Sequence, residues 1–397
     1  MNKRISPLRV ILRIILIILM ILVLVVGGYV AYVLIDYHRL DDNLTITPEG
    51  TASQNVVNVA TGGVSQMTPS STDIIEIYDG NGNMPAGPTL APPPSFTITS
   101  WNIGFAAYTD QFSFFMDGGL YSRAFSEKDT IDNMEAIVDE LLKQNSDFYL
   151  VQEVDFGSTR SYHVDEKAMI EEAFSDKFST TFGVNYDSPY LFYPISCPIG
   201  ASKSGILTMS YADITGSVRR SFPIQTGFAK LLDLDRCFTV NRIPCSNGKE
   251  LVLINLHASA YTTDDTILTQ QMQMLADTIS EEYGKGNYVI AGGDFNMDLL
   301  GDSASIFGVS GEDYSWAQPF PTEIIPDGAR LVAPNNPMKP VPSCRNADAP
   351  WDPELNFQIT IDGFIVTDNI EVWSCEVTDQ QFAYSDHQPV QLRFRFK

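Results

Sequence analysis

The chain has 397 residues, 44% of them hydrophobic and 11% aromatic, which is enough to bury a sizeable core and is not the composition of a disordered polypeptide. Its formal net charge is −24, and outside the N-terminal region no run of Lys or Arg occurs. A tight, salt-sensitive grip on nucleic acid needs clustered cations and is disfavoured, although a nuclease working through a bound cation and a few local arginines remains compatible. Five cysteines without a CxxC pair argue against a zinc knuckle or a thioredoxin-like site, and a core of this size predicts free buried thiols over disulfide staples.

The charge is unevenly distributed. Residues 1–40 hold five basic side chains against one acidic, which leaves 20 basic and 48 acidic for the rest. Within that basic region, Ile14–Ile35 is a run of 22 residues without a charge. As a helix it rises about 33 Å, enough to cross a hydrocarbon core of about 30 Å. The run is longer than the apolar part of a secretory signal and ends without a small-x-small cleavage site, so retention as an anchor is expected. Lys3, Arg4, Arg9 and Arg13 precede it with no acidic partner. The positive-inside rule then predicts a cytoplasmic segment 1–13, a transmembrane helix 14–35 and an extracellular remainder at the cell membrane.

Residues 36–95 are expected to be a linker, Thr/Ser-rich with Gly and ending in the Pro-rich stretch Gly87–Ser95. A short apolar patch, Asp73–Asp79, suggests an added edge strand. From residue 96 the pattern becomes that of a folded domain, 96–397. Phe96–Trp101 alternates as a strand. Residues 127–144 carry Ile131, Met134, Ile137, Val138, Leu141 and Leu142 at helical spacing. Strands are predicted at 148–152, 205–210, 288–291, 359–366 and 390–397, and helices at 166–178 and 266–283. Residues 236–244 and 249–257 read as a hairpin across Ser246-Asn-Gly248. Residues 301–355, rich in Pro and aromatics, read as a long loop region. Interleaved strands and helices give an α/β or α+β class.

Polar residues recur where these strands end: Asn102, Glu153, His257, Asp294 with Asn296, and Asp386-His387, while Asp362 sits inside Thr360–Val366. A sheet can gather such groups along one edge. Phosphoester hydrolysis needs this chemistry. Carboxylate and amide oxygens, as on Asn102 and Glu153, suit a hard cation such as Mg²⁺. A histidine manages protons once a carboxylate fixes its tautomer, a role for His387 with Asp362. Asp294 and Asn296 suit an attacking water or the phosphoryl oxygens. Only four histidines are present, and two lie at strand ends beside acidic motifs.

Six motifs carry a resemblance: Trp101-Asn-Ile103, Val151-Gln-Glu-Val154, Asn255-Leu-His257, Gly292-Gly-Asp-Phe-Asn296, Ile361-Asp-Gly-Phe364 and Ser385-Asp-His-Gln-Pro389. In this order they resemble the signatures of the endonuclease/exonuclease/phosphatase superfamily, the deoxyribonuclease-I-like enzymes, over about residues 96–397. The resemblance implies an α/β (α+β) four-layer sandwich, with two packed, mainly antiparallel sheets flanked by helices. It implies Mg²⁺ or Mn²⁺ near Asn102, Glu153 and Asp386. It also implies His387 paired with Asp362 for proton transfer, His257 on the scissile phosphate, and Asp294 with Asn296 at the attacking water or a second metal.

Outside the shared motifs, Arg160 and His163 follow Glu153 closely and are candidates for a phosphate or head group, as is Arg345 before Asp362. Phe112, Phe114, Phe115 and Met116 are expected in the core, with an apolar lip touching lipid or a base as the alternative. The expected activity is metal-dependent hydrolysis of a phosphoester, on a lipid head group or a small phosphoester, outside the membrane. The alternatives are an extracellular nuclease and, in a different class, a non-catalytic binding module on the same fold. No protein partner is inferable.

Overall fold

The computed structural model describes residues 7–60, 95–225, 230, 235–260, 265–308 and 318–397. The chain opens with helix α1 (Pro7–Asp36), longer than the predicted 14–35, followed by the short strands β1 (Leu44–Ile46) and β2 (Glu49–Gly50). Then come β3 (Phe96–Asn102), α2 (Glu127–Gln144), β4 (Phe148–Asp155), α3 (Glu166–Phe174), β5 (Ser179–Leu191), β6 (Gly200–Ser210) and β7 (Gly216–Ser221). Next follow β8 (Cys237–Pro244), β9 (Glu250–His257), α4 (Asp265–Gly284), β10 (Tyr288–Asp294), α5 (Ser303–Phe307), β11 (Ala329–Val332) and β12 (Cys344–Arg345). The chain closes with β13 (Gln358–Ile359), β14 (Asp362–Thr367), β15 (Ile370–Val377) and β16 (Val390–Phe396).

Two seven-stranded sheets form the centre, in the orders β1-β7-β8-β9-β10-β14-β11 and β15-β16-β3-β4-β6-β5-β2. Each is antiparallel except for one central parallel pair, β9 with β10 and β3 with β4. Helices α2 and α3 cover one sheet, through Met134, Ile137, Leu141, Ile170 and Phe174. Helix α4 covers the other, through Leu268, Met272, Leu275 and Ile279. The four-layer sandwich expected from the sequence is the observed architecture. Between the sheets, Gln152 Nε2 donates to Asn255 Oδ1 at 2.8 Å and Thr181 Oγ1 to Asn241 Oδ1 at 2.7 Å. Such buried amides are tolerated only when partnered, so they key one sheet onto the other.

Local signals explain the helices. Ser126 caps α2, accepting from Asp129 N at 3.1 Å, and Asn145 ends it in the left-handed region at φ 46°. On its inner face Asn133 Nδ2 donates to Ala106 O at 3.0 Å and Tyr384 O at 2.9 Å. Helix α2 therefore pins the segments that follow Asn102 and precede Asp386.

Three expectations need correction. The predicted linker begins too early, because β1 pairs with β7, β2 pairs with β5, and Val57 is fully buried in the core. Residues 44–57 thus belong to the folded body. Residues 61–94, including the expected strand at Asp73–Asp79, lie outside the described residues. The loop region 301–355 contains α5, β11 and β12, since Arg330 and Leu331 pair with Val366 and Ile365 of β14. Finally β5, β7 and β15 are strands that polar sequence concealed. In β7 the arginines of Gly216–Ser221 are absorbed by hydrogen bonds, Arg219 Nε to Val184 O at 2.7 Å among them.

All five cysteines are free, four of them buried and Cys197 exposed. Helix α1 is long and apolar enough to cross a membrane.

Candidate active site

The two parallel pairs end at the same edge of the sandwich. Asn102 closes β3, and the register sets Asp294 of β10 beside both His257 of β9 and Asp362 of β14. Parallel neighbours present their C-terminal ends together, which brings Asn102, His257 and Asp294 to one edge, and the antiparallel β14 adds Asp362 at its start. Glu153 arrives differently. The β4–β6 register slips between Val151 and Val154, and Glu153 takes φ 54°. A bulge here turns the carboxylate out of the sheet alternation and into the cleft. In Gly292-Gly293-Asp294 the glycines are packing requirements of a buried strand. A Cβ on Gly293, at φ 144°, would sit 2.1 Å from Leu256 O, and one on Gly292 would meet the Phe364 ring at 2.4 Å.

His387 Nδ1 lies 2.8 Å from Asp362 Oδ2, and both groups are buried. Ser343 Oγ donates to the same carboxylate oxygen at 2.7 Å and accepts from Asp362 N at 3.1 Å, so the carboxylate is held from two sides. The His387 backbone is fixed as well, its carbonyl accepting from Trp101 Nε1 at 3.0 Å. Burial opposes the imidazolium, but Asp362, Cys344 and Asp294 outweigh it and raise the His387 pKa well above its ordinary value. His387 Nε2 faces Asp294 Oδ2 at 3.7 Å. Burial pushes the Asp294 carboxyl up to about 6, with His387 opposing the rise. Asn296 N donates to Asp294 Oδ1 at 2.9 Å, and Asn102 Nδ2 donates to its Oδ2 at 3.0 Å.

The cleft has two lobes that share Tyr108, Glu153, Arg236 and His257. In the first, Glu153, Asp117 and Asp386 all belong to the wall. Burial pushes Asp386 up to about 7, with Glu153 and Asp117 adding repulsion and His387 and Arg345 opposing it. Oxygen donors held together at such a cost fit a hard divalent cation. Asn102 lies beside this group, its Nδ2 3.4 Å from Glu153 Oε1, while its Oδ1 accepts from Gly104 N at 3.0 Å. Asp294, Asp362 and His387 also bring ligand atoms within 4.8 Å of one another. The 2.8 Å Nδ1–Oδ2 contact is that of a hydrogen bond, so this trio reads as a His–Asp pair with a second carboxylate rather than as a cage.

His257 is buried where the lobes join. Arg236 Nη1 approaches its Nε2 at 2.7 Å, and Asn185 Nδ2 lies 3.3 Å from its Nδ1. Burial, followed by Arg236, lowers its pKa well below the ordinary value, so His257 is neutral and accepts from the arginine.

The Endonuclease/Exonuclease/phosphatase family matches residues 99–387. The chain belongs to this family. Its members are hydrolases of phosphoester bonds. Among solved structures, the endonuclease/exonuclease/phosphatase from Beutenbergia cavernae DSM 12333 is similar with a TM-score of 0.51 at 16% identity, over 76% of this chain and 72% of that one. ANGEL2, a 2',3'-cyclic phosphatase, is similar with a TM-score of 0.50 at 14% identity, over 76% of this chain and 96% of that one. At these identities the likeness establishes the fold. No curated protein sequence matches the chain.

The family frame leaves three candidates in other roles. Arg160 borders the second lobe, but its Nε and Nη2 donate to the two oxygens of Asp155, at 3.0 and 2.8 Å, and its guanidinium lies 3.8 Å from the Phe105 ring centroid. It is a buried scaffold pair under Glu153. His163 is exposed, lines neither lobe and bonds Gly157 O through Nδ1 at 2.7 Å, so the structure does not place it at the site. Arg345 touches the first lobe, yet Nη1 and Nη2 donate to the carbonyls of Asn346, Ala349, Thr109 and Phe112 at 3.1–3.3 Å, stapling two cleft loops together. Sequence reasoning missed Arg236, Asn185 and Asp117. Arg236 was readable only as the first residue of a predicted strand, and its partner His257 becomes a neighbour through the β8–β9 pairing of Cys237 with His257. Phe112 and Phe114 are buried as expected, while Phe115 and Met116 are half-buried and Met116 lines the second lobe.

Proposed function

We propose that the chain is a divalent-cation-dependent phosphoester hydrolase whose catalytic domain lies outside the membrane, tethered by α1. The observation that carries this reading is the line Asp362–His387–Asp294, a charged imidazole between two carboxylates, set beside the crowded carboxylates Glu153 and Asp386. In it, Glu153, Asp386 and Asn102 hold Mg²⁺ or Mn²⁺. The bound cation supplies positive charge against the phosphoryl and leaving oxygens. Asp294, with its pKa near 6, accepts a proton from the attacking water while Asn296 orients it. The water oxygen bonds to phosphorus and the ester P–O bond breaks. The leaving oxygen departs on the opposite face and takes a proton from solvent. His387, kept protonated by Asp362, donates Nε2–H to a phosphoryl oxygen.

Arg236 is the cleft cation best suited to a phosphate. Arg160 is committed to Asp155 and Arg345 to four backbone carbonyls, whereas Arg236 lines both lobes and its Nη1 meets the His257 imidazole, a neutral partner. Neutral His257 orients it. The N-terminal basic flank places the N-terminus in the cytoplasm. The test is turnover by the purified chain of plasmid DNA, RNA, sphingomyelin and a generic phosphodiester, with Mg²⁺ and Mn²⁺ added in turn. Cation-dependent hydrolysis of at least one is expected, abolished by EDTA. Absence of turnover on all of them would instead favour a binding module.

A further inference from the structure

The last turns of α1 are attached to the rim of the cleft. Tyr29 Oη donates to Tyr190 O at 3.2 Å and accepts from Phe192 N at 3.1 Å, and Tyr32 Oη accepts from Tyr190 N at 3.0 Å. The Tyr29 ring meets Phe192 edge-on at 5.4 Å, and Val33 is the one residue of α1 that the domain buries. The segment 190–198, which ends β5 and leads into β6, is therefore clamped to the helix.

The depth of that clamp follows from counting. Arg13 is the last charge before the apolar run, and about 20 residues beyond it cross a hydrocarbon core. That count ends at Val33, past both tyrosines. Tyr29 and Tyr32 thus lie within about 6 Å of the outer edge of that core, near enough for their hydroxyls to reach the headgroup layer that Tyr favours, and the segment they hold sits at that boundary. It exposes apolar surface there, with Phe192 57%, Tyr193 67% and Ile195 90% accessible. A second turn adjoins it. Phe115 packs on Tyr193 at 5.6 Å, Ser122 Oγ donates to Cys197 O at 2.5 Å, and Leu120 is 79% accessible. Single exposed apolar residues are ordinary, but a contiguous set beside a membrane-spanning helix is not. From this rim Phe114, Met116 and Ile199 line the second lobe inward as far as Glu153.

We propose that segment 190–198 and the turn carrying Leu120 lie in the interfacial layer of the bilayer that α1 crosses, so that the second lobe opens onto the lipid surface along its Phe114, Met116 and Ile199 wall and the cleft takes the phosphoester head of a membrane amphiphile. The occupant of this surface is lipid, by continuity with the helix. The substrate half rests on the hydrolase reading, and the surface half does not.

Cys197, the one exposed thiol, allows the natural chain to carry a fluorophore within the segment. The full chain in phosphatidylcholine vesicles should show quenching of this probe by headgroup-labelled nitroxide lipid and protection from aqueous iodide. A probe on Lys249→Cys with Cys197→Ser reports the hairpin end of β8 and β9, opposite the cleft, and should show the reverse. Equal iodide quenching at both positions overturns the proposal. A second arm compares hexadecyl 4-nitrophenyl phosphate in those vesicles with free bis(4-nitrophenyl) phosphate. Phe192→Ser with Ile195→Ser should lower turnover of the vesicle ester at least tenfold and leave the soluble ester unchanged. Equal loss of both, or no loss of either, refutes the membrane-facing cleft. Failure of the unmodified chain on both esters counts against the hydrolase reading, while the quenching result still decides the surface.

Discussion

Arg236 shows how one residue can organise a site while leaving no motif. Its Nη1 lies 2.7 Å from His257 Nε2 and adds to the burial that keeps this imidazole neutral, and the side chain lines both lobes of the cleft. Arg236→Ala should lower kcat/KM about 10²-fold, the loss of one charge-assisted phosphate contact, and Arg236→Lys should recover only part of it. Unchanged steady-state kinetics for the alanine variant would remove Arg236 from substrate binding. Asp147 offers a test of stability. Burial raises its pKa from 3.8 to about 6 against the hydrogen bonds from Thr97. The folded state therefore binds this proton more tightly than the unfolded chain. Its contribution is fully present below about pH 4 and is lost as pH rises through 6, a difference of about 3 kcal/mol. Asp147→Asn, which keeps an acceptor for Thr97 N, should gain stability relative to the unmodified protein between pH 4 and 7.5 in denaturant titrations. A pH-independent difference would contradict the assignment.

At the scale of elements, the sequence reveals what is periodic and hides what depends on pairing. Helix α2 is found to the residue, because an apolar stripe and a capping serine mark it. Strands β3, β4, β9 and β10 are legible as apolar runs, and the residues at their ends are legible as chemistry. Strands β5, β7 and β15 are not. Their faces carry Asn, Arg, Glu and Ser, whose polarity is satisfied only by neighbours distant in sequence, as when Thr181 of β5 bonds Asn241 of β8. The same logic hides the beginning of the domain. Leu44–Ile46 has no pattern of its own and becomes a strand by pairing with β7. A chain starting at residue 96 should therefore melt well below one starting at residue 37, by circular dichroism. Val57, fully buried, is among the core residues it would lose. Equal melting temperatures would return residues 44–57 to the status of a linker. The bulge that turns Glu153 into the cleft was equally invisible: the predicted strand stops at Gln152, whereas β4 runs on to Asp155 through the register slip.

For the whole molecule, the apolar helix and the candidate active site form one arrangement. Helix α1 is long and apolar enough to cross a membrane, its terminal tyrosines hold the cleft rim, and the parallel strand pairs of two sheets aim their ends at one another. Protease added to intact cells should digest the domain and spare residues 1–13, as the basic flank requires. Protection of the domain would reverse the topology. At a formal net charge of −24, the proposed phosphate recognition falls to a few arginines inside the cleft and to the cation proposed there. The claim on which the account depends is that Glu153 and His387 work at one phosphoester site. It is tested most directly by the Mg²⁺-dependent turnover number of the full chain on a phosphodiester it hydrolyses, measured beside His387→Ala and Glu153→Ala. Each variant should lose about 10²-fold or more, the ordinary contribution of a proton-transfer or charge-stabilising group, without a change in melting temperature. A near-unmodified rate in either variant would contradict the account.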